Sequence, residues 1–516
     1  MGFINWLLGL GASVVLPIII FILSMIFRMP IGKAVRASLT IGVGFIGINL
    51  VIGLLGNTLG PAAQAMVKNT GVNLPILDVG WPVAAAITFG TTSIVPWVFV
   101  LGILLNLVLI AVKATKTLNV DMWNYWHFIF SAAFVYFMTG NFVLGLLVAL
   151  ITSAIVLKLA DFAAPVIQKH YGIPGITTPH LDTVTWSPLG WVINKGLDRV
   201  PGIRKWHASP GQLQEKYGII AEPIIMGTVL GFIIAILAYY PEFSSDLGGA
   251  VKQILTVGIT LGAVMLVLPR MVAILMEGLV PLSDAAKQFI QTRFPGRELY
   301  IGLDGAILVG HPANIAVGII LVPITLLLAL LMSVLGVNQM LPFTDLAVLP
   351  FFAIWATTWS RGNVVRGVII GTFFIACMLS IATFLAPATT DMAHAANFAI
   401  PAGATQISSI DSGAHLAPFM LAFGFIFSRA AQYGLGFQVW ISFILAFALF
   451  SYIAYFIYIG RGHIPGIDDE HLYVEASDED EVDIARGPAG EDAVDHVAVH
   501  LAEQADSSTG DQAAAR

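Results

Sequence analysis

Residues 301–324 read IGLDGAILVGHPANIAVGIILVPI, an apolar run interrupted at its middle by Gly310-His311-Pro312. A Gly-x-Pro break removes backbone hydrogen bonds at a point where lipid offers no replacement. Asp304, His311 and Asn314 lie in the same run. Such side chains are costly in a bilayer unless they face a wet, protein-lined space. Residues 74–96, LPILDVGWPVAAAITFGTTSIVP, repeat the pattern: Leu77-Asp78 precedes Gly80-Trp81-Pro82 as Leu303-Asp304 precedes Gly310-His311-Pro312. A small-residue run follows each, and the lead-ins, GLLGNTLGPAAQAM at 53–66 and GLVPLSDAAKQF at 278–289, correspond loosely. Two interrupted segments at matching places in two halves point to a transporter with its site between repeats.

The chain is 57% hydrophobic and 11% charged, with a mean hydropathy of +0.86. A soluble domain carries about 25% charged residues, so the composition indicates a polytopic, all-helical membrane protein. The first apolar run lacks a basic lead-in and continues too far for a cleavable signal. The net charge of -7 is unevenly spread: residues 461–516 hold 15 acids and 3 bases, which leaves the rest at +5. That acidic stretch reads as a disordered tail. The lone cysteine, Cys377, lies in an apolar run. It reads as a small buried hydrophobe and supports neither a disulfide framework nor a Cys-rich metal site.

Apolar runs place spans at about 5–27, 38–56, 92–112, 123–138, 142–160, 218–239, 252–268, 314–336, 346–360, 364–386 and 416–458, with a short piece at 270–281. The total is eleven or twelve, depending on whether the last run crosses twice. Residues 57–72 read as an interfacial stretch, and the polar segment 387–415 as a loop outside the bilayer. Arg28, Lys33 and Arg36, then Lys113 and Lys116, then Arg361 and Arg366, mark cytoplasmic turns and put the N-terminus outside; Arg461 keeps the tail cytoplasmic. The expected domains are a membrane permease domain over 1–460 and the tail over 461–516. Within the former, repeat one covers about 1–160, a basic cytoplasmic loop about 161–217, and repeat two about 218–460.

Several chemistries have no sequence basis. No phosphate-binding Gly-x4-Gly-Lys-Ser/Thr, His-Glu-x-x-His or Gly-x-Ser-x-Gly motif occurs, no basic, aromatic-interleaved stretch suits nucleic acid, and the histidines lack metal-ligand spacing. Polar residues at membrane depth remain: Asn49, Asp78, His127, Glu277, Asp304, His311 and Asn314. Neutral imidazole and carboxylate oxygens both bond hydroxyls, which suits a polyol or sugar. The carboxylates alone would equally suit a proton or cation. His127, in the aromatic Trp123–Phe128 stretch, fits a headgroup-level histidine as well as a ligand. The cluster GITTPHLDT at 175–183 fits an ordinary turn with local hydrogen bonds. Arg270 and Glu277, seven residues apart, share a helical face and read as a structural ion pair or two interfacial residues.

Residues 302–312 (GLDGAILVGHP), 276–287 (MEGLVPLSDAAK) and Thr177-Thr178-Pro179-His180 resemble the galactitol-type enzyme IIC family of the sugar phosphotransferase system, over residues 1 to about 460. The resemblance implies a bacterial inner-membrane permease subunit that binds a polyol or sugar outside and delivers it for phosphorylation. The phosphoryl group would come from a separate IIB protein carrying a phosphocysteine, itself charged by IIA; no cofactor would be bound. The layout is more distantly similar to the ascorbate enzyme IIC, a homodimer of eleven spans with inverted repeats, in which a core domain moves as an elevator. By that analogy substrate would meet Asp78, His127, His180, Asp304 and His311, with Glu277 and Asn314 added from the polar residues at membrane depth and Asp304 a candidate base. The chain has no IIB or IIA region, and Cys377 cannot replace the missing phosphocysteine, so the chain alone should phosphorylate nothing. The competing readings are an ion-coupled carrier that releases its substrate unmodified and, with less to support it, a non-transporting receptor.

Overall fold

The computed structural model describes residues 12–70, 74–91, 94–121, 124–203, 223–293, 299–309, 311–396, 398, 400 and 404–468. Helices dominate. Among the described residues, seven are long and apolar enough to cross a membrane by length and composition: Ile94–Ala111, Phe142–Tyr171, Gly227–Ser244, Leu247–Val264, Pro312–Val334, Val364–Ala395 and Leu435–Gly460. Their ends follow local chemistry. Asn141 caps Phe142–Tyr171 by accepting from Leu144 N, and Gly172 closes it at φ 67°. Asn363 caps Val364–Ala395 by accepting from the amides of Val365 and Arg366.

Six short strands organise the interior: β1 (Ile76–Asp78), β2 (Thr117–Asn119), β3 (Ile176–Thr177), β4 (Tyr300–Gly302), β5 (Met340–Leu341) and β6 (Gln406–Ser408). They form two three-stranded parallel sheets, ordered β5-β1-β6 and β2-β4-β3. In the first, Leu77 faces Leu341 on one side and Ile407 on the other. In the second, Gly302 faces Asn119 and Thr177. The middle strand of each sheet therefore comes from the opposite half of the chain. The two Leu-Asp motifs of the interrupted segments stand at equivalent places: Asp78 ends β1, and Asp304 follows β4 by two residues. Strand pairing lets these non-helical stretches satisfy their backbone inside the protein, as burial requires.

Around the sheets the core is aromatic and dense. Trp126, Trp186, Trp355, Trp359, Phe128, Phe130, Phe134 and Phe374 are among its fully buried side chains. Helices Ala12–Ile26, Ile31–Thr70, Pro223–Tyr239 and Leu247–Arg293 pack chiefly on one another.

Several expectations change. Residues 38–70 belong to one continuous helix, Ile31–Thr70, running through Pro61, so the stretch after residue 56 is not a separate interfacial piece. The runs at 252–268 and 270–281 likewise belong to one helix, Leu247–Arg293. The run at 346–360 is broken into Leu349–Phe352 and Ile354–Trp359 after a 3-10 turn. Residues 161–197 are not a cytoplasmic loop: the helix from Phe142 continues to Tyr171, and His180, Asp182, Trp186 and Trp191 are buried. The region 387–415 is not a plain loop either; the helix from Val364 continues through Pro387 to Ala395, and Ser408, Asp411 and His415 are buried. Arg366 is buried against Asp198 Oδ1 at 2.6 Å and Asn194 Oδ1 at 3.1 Å, tying helix Ser187–Leu197 to Val364–Ala395. The common reason is that polarity here marks internal hydrogen bonding, not solvent: Thr177 Oγ1 donates to Ala160 O, and Ser408 Oγ to Ala382 O. The N-terminal eleven residues, the 204–217 part of the basic loop and the tail beyond 468 lie outside the described residues.

One close approach fixes how helix Ile410–Gly413 lies on Val364–Ala395. A Cβ on Gly413 would stand 2.0 Å from the backbone oxygen of Met378. Backbone cannot rotate away as a side chain would. Gly413→Ala should therefore cost about 1–3 kcal/mol, the usual penalty of overpacking, read as a lower thermal midpoint of the detergent-solubilised protein.

Candidate functional site

Each of the six strands leads into an aspartate: Asp78, Asp121, Asp182, Asp304, Asp345 and Asp411. All six are at most 5% exposed. They converge from both sheets, since Asp411 has Asp182, Asp304 and Asp78 as like-charge neighbours. Such a concentration of buried acid needs compensation by donors, protons or cations.

Part of it is met by backbone. Asp78 Oδ1 accepts from Gly80 N at 3.0 Å, where Gly80 turns the chain at φ 75°, a conformation that favours glycine. Asp78 Oδ2 accepts from Phe343 N at 2.7 Å and Thr344 N at 2.9 Å. Asp345 replies across the same joint, accepting from Trp81 N at 2.9 Å with Oδ1 and from Asp411 N at 3.1 Å with Oδ2. At the other sheet Asp121 Oδ2 accepts from Asp304 N at 3.1 Å. Asp78, Asp345 and Asp121 thus bind backbone amides, acting as latches between the halves.

The side chains that remain form a second layer. His127, on helix Asn124–Thr139, is 1% exposed. It sits among the rings of Trp126, His180 and His415 and is not at a headgroup level. His127 Nε2 is 2.8 Å from His180 Nε2, and that nitrogen is 3.8 Å from Asp304 Oδ2. Asp304 Oδ1 accepts from Ala306 N at 2.7 Å. Asp304 Oδ2, His180 Nδ1 and Thr178 Oγ1 are buried without a hydrogen-bond partner. The ring of Phe351 meets His180 edge-on at 4.7 Å between centroids, giving the polar group an apolar neighbour.

Of the residues expected at the site, the structure gathers His127, His180 and Asp304, with Asp78 beside them as a latch. His311 instead lies against His170 and Tyr171, at ring separations of 4.9 and 5.1 Å, and its Nδ1 accepts from Ala313 N. Asn314 is fully engaged. Its amide donates to Leu308 O at 2.6 Å and Tyr171 Oη at 3.3 Å, and its oxygen accepts from Thr357 Oγ1. It holds the segment before helix Pro312–Val334 and has no donor left for a ligand. Glu277 is exposed on Leu247–Arg293, whose main partners are Ile31–Thr70 and Pro223–Tyr239, and it does not join the cluster. Arg270, on the same helix, is exposed as well. The side chain of Asn49 lies outside the described residues. Cys377 is fully buried, as a small hydrophobe would be.

Sequence reasoning missed Asp121, Asp345, Asp411 and His415, and it read Asp182 as part of a turn. A signal was present. Ile176-Thr177-Thr178 followed by Asp182 parallels Ile407-Ser408-Ser409 followed by Asp411, and both triplets run through the strand ends that lead into these aspartates.

Residues 6–403 match the family described as the sugar-specific permease component of the PTS system. The chain belongs to that family. It is also 37% identical over 409 residues to the galactitol-specific EIIC component of the PTS system in Escherichia coli (strain K12), covering 79% of this chain and 87% of the relative, and matches the Escherichia coli O157:H7 counterpart equally. An Escherichia coli (strain K12) chain described as a permease IIC component is 37% identical over 412 residues, which cover 79% of this chain and 91% of that one. The protein is a multi-pass inner-membrane sugar permease of the phosphotransferase system, and as such works with IIB and IIA proteins.

Proposed function

We propose that this permease takes up a polyol, galactitol being the first candidate, and presents it for phosphorylation by a phosphocysteine on the IIB partner. The observation that carries the reading is the set of buried, unpartnered polar atoms on Asp304, His180 and Thr178. A carboxylate oxygen accepts from two hydroxyls, a ring N–H donates to one, and a threonine hydroxyl does either. That mixture suits a chain of neighbouring hydroxyls better than a single ion. Phe351 supplies the apolar edge for the carbon side of the solute. Asp304 is also the group best placed to receive a proton from the hydroxyl that attacks phosphorus. The 37% identity to galactitol-specific components is the ground for the substrate class.

The arrangement of elements supports two repeats of opposite orientation. Helix, long helix, strand, two helices, strand, helix, long helix and strand occur in that order from Ala12 to Thr177 and, with more interruptions, from Pro223 to Ser408. On this reading repeat one extends past residue 160 to Leu197. The group Ala12–Ile26, Ile31–Thr70, Pro223–Tyr239 and Leu247–Arg293 would be the static, dimer-forming scaffold, and the sheets with their helices the body that carries substrate across. Exposed Leu39, Val43, Ile46 and Leu50 give the scaffold an apolar face for lipid or for a second copy. The basic residues flanking the spans support an N-terminus outside and a tail in the cytoplasm.

Uptake of labelled galactitol into cells expressing the chain, with and without its IIB partner, tests this. Label should accumulate as the phosphate, and only with IIB. Accumulation of free galactitol without IIB, abolished by an uncoupler, would mean an ion-driven carrier.

A further inference from the structure

Behind the His127–His180 pair, four side chains from both halves of the chain meet: His127, Asp182, Asp411 and His415. One ligand atom from each lies within 4.8 Å of all the others, and all four residues are buried. From these residues we infer a binding site for a divalent transition-metal ion of the zinc class, which shares His127 with the solute group described above and draws its other three ligands from outside that group.

The argument rests on which nitrogens carry protons. His415 Nδ1 is 3.0 Å from the backbone oxygen of Asp411, so it holds the proton and donates it. That leaves Nε2 of His415 as a lone pair, facing His127 Nδ1 at 3.4 Å. When His127 Nε2 donates to His180 Nε2 at 2.8 Å, His127 Nδ1 is likewise a lone pair. Asp182 Oδ2 lies 2.9 Å from that same His127 Nδ1, and Asp182 Oδ1 3.1 Å from His415 Nδ1. Neither contact is aligned as a hydrogen bond, and Asp411 Oδ2 is buried with no hydrogen-bond partner.

Lone pairs that converge without a proton between them repel unless a cation takes the centre. With metal–nitrogen bonds of about 2.0–2.1 Å, two ligands of a tetrahedral ion stand about 3.3–3.4 Å apart, which is the separation of the two ring nitrogens. Each imidazole also has its outer nitrogen bonded, one to a backbone carbonyl and one to a second ring, the usual device for orienting a metal-ligating histidine. Two imidazoles and two carboxylates suit zinc, manganese or iron(II) better than magnesium or calcium, which prefer all-oxygen sets. Two carboxylates would offset the ion's charge, and the ligands would clamp helices of the first half to the Ile410–Gly413 turn of the second.

The test uses the purified full-length protein in detergent, stripped with chelator and then titrated with Zn2+ against a chromophoric competitor. One tightly bound ion per chain is expected, with affinity reduced at least ~100-fold in His415→Ala and in Asp411→Asn. Asp304→Asn should keep the metal while losing solute binding, so the two sites fail independently. Equal zinc affinity in wild type and both variants would overturn the site, as would no binding in the wild type. Should the variants fail to accumulate, Co2+ in the wild-type protein decides: an intense tetrahedral visible spectrum is expected, and a weak octahedral one would refute the proposed ligand set.

Discussion

Asp304→Asn is expected to weaken galactitol binding about 100-fold, roughly 2.7 kcal/mol, while the protein still inserts and elutes as a folded species. The amide keeps an oxygen to accept from Ala306 N, as Asp304 Oδ1 does now at 2.7 Å, so the turn after β4 survives. What changes is the buried second oxygen, which has no hydrogen-bond partner within the protein. As a carboxylate oxygen it makes charge-assisted bonds to hydroxyls, worth about 1.5–3 kcal/mol each. An amide nitrogen in its place donates instead of accepting and meets the donor side of the solute. Isothermal titration of the purified variant, beside its elution profile, separates lost recognition from lost folding. Unchanged affinity would remove Asp304 from the site.

Asp78→Ala should have the opposite signature. Asp78 shares the Leu-Asp motif with Asp304 and stands at the matching strand end, but its oxygens are already taken by the Gly80, Phe343, Thr344 and Asp345 amides. Removing the carboxylate takes the acceptor from four buried N–H groups, at about 1–3 kcal/mol each. A loss of that size is comparable to the whole stability of many proteins. The variant is expected not to accumulate, or to melt far below the wild type in fluorescence-detected chromatography. Added solute should not restore it. A variant that folds normally but fails to bind would show Asp78 to be a ligand and not a latch.

This contrast shows what the sequence could and could not disclose. The paired Leu-Asp and Gly-x-Pro breaks were legible because broken apolar runs are rare and costly, and both Leu-Asp motifs do stand at the end of the middle strand of a sheet, Leu77-Asp78 within it and Leu303-Asp304 just after it. Their roles were not legible, because a carboxylate bonded to amides and one available to a ligand look alike in one dimension. His127 was visible as a polar residue at the start of an apolar run, whereas His180, inside a polar cluster, came forward only through the resemblance of its Thr-Thr-Pro-His stretch. His415 and Asp411 were hidden by their context: a polar segment with Pro, Ser and Thr reads as a loop, and only the hydrogen bonds of Ser408 and Ser409 explain its burial. Glu277 misled for the reverse reason. A charge in an apolar run suggested a site, whereas it lies exposed on a 47-residue helix.

The exchange of middle strands has a consequence for biosynthesis. When β1 leaves the ribosome, neither of its neighbours has been made; the Asp345 that receives Trp81 N is 264 residues further along. Until then Asp78 and the strand edges must wait with their backbone unpaired, whether sheltered by the insertion machinery or held at the membrane surface. The first half is thus an incomplete product by design, and the order of assembly is set by the arrival of the second.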